Sequence, residues 1–150
     1  MPLSRRHILM VACSLMMGAV TPALADRPRL FAPGGIAIGG YDPVAYFTQG
    51  RAVPGTQDFM LKWQGAIWLF SSAETLEAFE MDPSAFVPQY GGYCAYGVGE
   101  GLAASSDPQV FVIHNGRLYL YSSPRTRSAM ESDFSDMVTD ADRNWLNLGK

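Results

Sequence analysis

Two places in the chain combine a two-residue turn signal with apolar, aromatic runs on either side, and they constrain the fold most. Residues 59–63 and 66–70 flank Gln64-Gly65, and residues 110–113 and 118–121 flank His114-Asn115-Gly116-Arg117. Short turns of this chemistry join antiparallel strands, so each place predicts a β-hairpin. Helical signals lie between and after them. Asp42-Pro43 starts one short helix, because Asp caps free N–H groups and Pro fits the first turn. Ser71-Ser72-Ala73-Glu74 offers a capping box for a helix over residues 71–80. Asp82-Pro83 begins a short helical piece carrying Phe86, Ser123-Pro124 restarts a helix, and residues 134–148 form an amphipathic C-terminal one. No repeat and no second composition zone is evident. The expected architecture is small α+β, with hairpins and short helices set around them.

The 150 residues are 48% hydrophobic and 17% charged, which suits one globular domain. The first 25 residues read as an export signal. Arg5 and Arg6 precede an apolar run from Ile8 to Val20, and Ala23-Leu24-Ala25 supplies the small residues of a cleavage site before Asp26. Ser4-Arg5-Arg6-His7-Ile8-Leu9 also matches the twin-arginine pattern, though paired arginines occur in ordinary Sec signals. The expected product is a periplasmic or secreted protein with no membrane span after cleavage. Residues 26–40 then read as a Pro- and Gly-rich entry segment, and residues 41–150 as the domain.

Cleavage leaves nine basic against fourteen acidic residues, an acidic balance that argues against a nucleic-acid partner. It also removes Cys13 and His7, so that Cys94 and His114 are the remaining cysteine and histidine. A lone cysteine in an oxidising compartment is buried, metal-bound, reactive, or paired with another molecule. Cys94 stands in a Gly- and Tyr-rich loop, and a short helix starting near Gly92 would present N–H groups to its sulfur. Tyr93 and Tyr96 are the nearest groups for orienting a ligand. Copper or another soft metal would draw on Cys94 and His114, with Met60, Met81, Met130 and Met137 and carboxylates such as Asp42 and Asp107 as further donors. His114 belongs to a turn, where polar residues are expected regardless. No hydrolase triad, C-x-x-C motif or phosphate loop is present. Arg125 and Arg127 flank a helix start and are expected to face solvent.

Asp42-Pro43-Val44, then Trp63-x-Gly65-x-x-Trp68-x-Phe70-Ser71-Ser72, then Phe79 and Asp82-Pro83, together resemble the YHS domain. That small fold is related to the treble-clef-like metal-binding domains called TRASH. The extension from Gln89 to Val98 and the later Asn144-Trp145 look like an exported bacterial branch of YHS-domain (seleno)proteins, and the resemblance spans about the whole mature chain. Metal-binding members carry cysteines where this chain has Ala45, Ser71 and Thr75, so the resemblance does not carry their thiolate site over. In the exported branch some relatives carry selenocysteine, which the resemblance implies is the position of Cys94. The implied function is a thiol-based redox or soft-ligand-binding module acting through Cys94. With no second cysteine to resolve an oxidised sulfur, turnover needs an external thiol or reductase as partner. A non-catalytic module with Cys94 buried, meeting a periplasmic protein, and a copper or metal carrier are the alternatives.

Overall fold

A computed structural model describes residues 29–148. The export signal lies outside them. Strands β1 (Thr56–Trp63) and β2 (Ala66–Phe70) form the first hairpin, and β3 (Asp107–His114) and β4 (Arg117–Tyr121) the second. Each pair is antiparallel and makes its own two-stranded sheet. Gln64-Gly65 and Asn115-Gly116 all take positive φ, as the tight hairpin turn requires. Five helices complete the α+β fold: α1 (Ala45–Thr48), α2 (Ala73–Met81), α3 (Ala95–Gly99), α4 (Pro124–Glu131) and the C-terminal α5 (Phe134–Trp145).

The absence of a repeat, expected from the sequence, is overturned by the backbone. Residues 38–81 and 90–131 build the same unit twice, in the same order: a left-handed Gly-Gly turn, a short helix, a hairpin and a longer helix. Ile38-Gly39-Gly40 and Tyr90-Gly91-Gly92 all have positive φ. In each unit the residue after the turn bonds back to its first residue, Tyr41 to Ile38 and Tyr93 to Tyr90, at 3.2 and 3.1 Å. Both hairpins shift register at the same point, between Thr56 and Met60 and between Asp107 and Phe111. Ser72 with Thr75 caps α2, and Ser123 with Thr126 caps α4, each as a reciprocal capping box. The first box is therefore one residue later than Ser71 and Glu74 suggest. Ser71 is left free for another partner.

The two units have separate cores that share one strand. In β4, Leu118 and Leu120 face the first core with Trp68, Phe70 and Phe79, while Tyr119 and Tyr121 face the second with Cys94, Val98 and Met130. That split follows from the two-residue period of a strand. Tyr46 of α1 ties the units together, donating to the Pro108 carbonyl at 2.8 Å and meeting the Phe111 ring at 4.8 Å. The stretch read as an entry segment also joins the fold, since Leu30, Ala37 and Ile38 are buried in the first core. Gly91 lies so close to the Arg29 carbonyl that any side chain there would collide with it. Helix α5 packs on the second unit, where Asn144 Nδ2 donates to the Val98 and Gly99 carbonyls at 3.0 and 2.8 Å.

Candidate functional site

The repeat supplies the frame in which Cys94 is best understood. In the first unit the residue after Gly-Gly-Tyr is Asp42, fully buried. Its backbone N–H donates to the Val53 carbonyl at 2.8 Å. Its Oδ1 accepts from Val44 and Ala45 N–H at 2.9 and 3.3 Å, which starts α1. Its Oδ2 accepts from the Ser71 N–H at 2.8 Å and the Ser71 hydroxyl at 2.6 Å, which pins α1 to the end of β2. Four donors on one carboxylate satisfy a group that would otherwise be costly to bury.

Cys94 occupies the same place in the second unit. Its N–H donates to the Ala104 carbonyl at 3.0 Å, as that of Asp42 does to Val53. Its Sγ accepts from the Ser122 N–H at 3.3 Å and lies 3.5 Å from the Ser122 hydroxyl. Ser122 is the counterpart of Ser71, so sulfur stands where carboxylate oxygen stands in the first unit. Cys94 is 1% exposed, but Ser122, which donates to its sulfur, is an exposed residue. The Ser122 hydroxyl bonds onward to Thr126 Oγ1 at 3.2 Å.

A second exchange lies in the same core. Phe70 of the first unit becomes Tyr121 in the second, which places a hydroxyl where its counterpart has only hydrocarbon. The Tyr121 hydroxyl is buried and has no hydrogen-bond partner among the described residues. Burial, with the Glu131 carboxylate nearby, holds its phenol well above the usual tyrosine range, and the Cys94 sulfur acts in the same direction. Arg127 Nε is likewise buried without a hydrogen bond, 3.7 Å from Glu131 Oε2. The Arg127 side chain is 42% exposed with its Nε turned inward, and Arg125 is exposed.

Compared with known protein families, curated proteins and solved structures, the chain matches none.

The other residues singled out in the sequence are not gathered around the sulfur. His114 and Ser122 bracket β4, and a strand of that length separates them by roughly 17 Å. The Cys94–His114 metal pair is therefore not assembled. Among the described residues no three His, Cys, Asp or Glu side chains converge as ligands. Met60 and Met81 are exposed in the first unit, Met130 is buried in the core that holds Cys94, and Met137 packs against Gly99. Asp42 is committed to its four donors, and Asp107 accepts from the Gln109 N–H at 2.9 Å. Tyr93 is buried between Phe31 and Trp145, at 5.3 and 6.0 Å between ring centroids, and Tyr96 is half-buried. Ser122 and Tyr121 escaped notice in the sequence. The signal that finds them is the recurrence of Gly-Gly-Tyr and of Ser-Ser followed by Thr at matching places in the two units.

Proposed function

We propose that the chain is an exported module of the YHS kind that works through Cys94 as a guarded thiol, in redox exchange or in holding a soft ligand. One observation supports this above the others: a sulfur replaces a carboxylate at a position built to present an acceptor to Ser122, while the partner position in the first unit keeps its structural Asp42. The unpartnered Tyr121 hydroxyl in the same core adds a polar group that packing alone does not require. In the redox form, the Cys94 sulfur attacks one oxygen of a hydroperoxide, the O–O bond breaks, and the other oxygen leaves as water or an alcohol. The sulfenic acid then condenses with an external thiol, releasing water, and a second thiol restores Cys94 by forming the outside disulfide.

The burial of Cys94 favours a second reading, a non-catalytic interaction module in which the thiol is simply core. The test is hydrogen peroxide and iodoacetamide treatment of the folded, reduced full chain, with modified peptides located by mass spectrometry. A guarded thiol reacts at Cys94 under native conditions, and faster in Ser122→Gly, which uncovers the sulfur. If modification of Cys94 only tracks global unfolding in both proteins, the second reading holds. Copper(I) titration of wild type and Cys94→Ser separates the soft-ligand form, which requires binding that the variant loses.

A further inference from the structure

The two units differ at one more place. In the first, Trp63, Trp68 and Phe79 interlock, with ring centroids 5.9, 5.7 and 5.2 Å apart, and Trp68 Nε1 donates to the Trp63 carbonyl at 3.2 Å. Their counterparts in the second unit are His114, Tyr119 and Met130. Two of them, His114 and Tyr119, line a cavity of about 630 Å³ between the second hairpin and α5, a helix with no counterpart in the first unit. That size suits a small organic ligand.

Its lining is divided by chemistry. Phe134 and Val138 of α5 form an apolar wall, with the His114 ring 4.1 Å from Phe134 and the Tyr119 ring edge-on to it at 5.3 Å. Arg117, beside the Tyr119 hydroxyl, and Ser135 supply hydrogen-bond donors. No Asp or Glu lines the cavity. Neither ion pair among the described residues uses Arg117. Of the carboxylates on α5, Asp140 accepts from Arg143 at 2.9 Å, and Asp142, close enough to act on Tyr119, accepts from the Tyr90 hydroxyl at 2.9 Å. A guanidinium without a carboxylate, next to an aromatic wall, matches a planar anion with an apolar body.

We propose that this cavity binds a small aromatic carboxylate, with its carboxylate on Arg117 and its ring against Phe134 and Val138. The site is separate from Cys94 and does not rest on the thiol reading. The experiment titrates the full chain with benzoate, benzamide and inorganic phosphate, followed by backbone amide NMR shifts. Benzoate is expected to bind saturably, with shifts centred on residues 114–119 and 134–139. Benzamide, lacking the charge, and phosphate, lacking the ring, should each bind at least about tenfold more weakly. Arg117→Gln should lower benzoate affinity by about the same factor, and His114→Trp, which places a larger ring in the lining, should weaken binding. Arg117 is exposed at the turn, so its variant keeps the fold, and the three-ligand comparison on wild type stands without any variant. The proposal is overturned by no saturable benzoate shift, by equal affinity for benzamide or phosphate, or by an Arg117→Gln protein that binds benzoate as wild type does.

Discussion

The first unit closes on itself and the second does not. Asp42 receives four hydrogen bonds, Trp63, Trp68 and Phe79 interlock behind the hairpin, and among the described residues no buried side-chain polar atom of this unit lacks a partner. At the matching places the second unit carries Cys94, His114, Tyr119 and Met130, with an unpartnered Tyr121 hydroxyl. It also needs α5 to cover it, whereas the short helix of the first unit is met by Phe86, edge-on to Phe47 at 5.6 Å. Two copies of one backbone thus serve different ends. One is spent on stability, and the other keeps a sulfur and a cavity at some cost in packing.

The largest effect should come from breaking the Asp42 hub. Asp42→Ala orphans the buried N–H groups of Val44 and Ser71 and should cost about 3 kcal/mol or more, read from urea denaturation. Cys94→Ala, at the same place in the second unit, should cost about 1–2 kcal/mol, because sulfur accepts fewer and longer bonds there. Equal losses would mean that the two positions are alike in role as well as in geometry.

High pH should weaken both units. Burial holds the phenols of Tyr46, Tyr90 and Tyr121 above their ordinary value, in the case of Tyr90 with help from the Asp142 carboxylate that accepts its hydrogen bond. The unfolded chain therefore releases these protons first. The stability they contribute is complete below about pH 10 and is lost as pH rises beyond it. A spectroscopic titration should show tyrosinate appearing together with loss of near-ultraviolet circular dichroism; tyrosinate formed in a fully folded protein would contradict it.

The smallest effect has the opposite sign. Tyr121→Phe rebuilds the Phe70 of the first unit and deletes a buried hydroxyl without a partner, so it should be neutral or stabilising by up to about 1 kcal/mol. A clear loss of stability in urea denaturation would show that the hydroxyl is bonded.

Much of the local structure was readable in the residues. Gln64-Gly65 and Asn115-Gly116 specify their hairpins because only a few residue types accept the positive φ of such turns, and Asp42-Pro43 and Ser123-Pro124 mark helix starts through capping. Residue chemistry also singled out Cys94 as the group to examine. The register of the first capping box was missed, since Ser71 and Ser72 are alike in sequence and only the place of Asp42 decides which one caps.

The repeat was not evident because its two copies share few residues. What they share is backbone, with left-handed turns, a register shift and paired caps, and only the short Gly-Gly-Tyr and Ser-Ser…Thr stretches that make the turns and caps recur as residues. The sequence by itself determined where strands and helices begin, through turn and cap chemistry acting over a few neighbouring residues. Only the tertiary structure decided that Cys94 stands in for Asp42, that His114 lies a strand's length from it, and that a cavity opens between the second hairpin and α5. These depend on residues far apart in the chain meeting across two packed cores, and no local preference encodes such meetings.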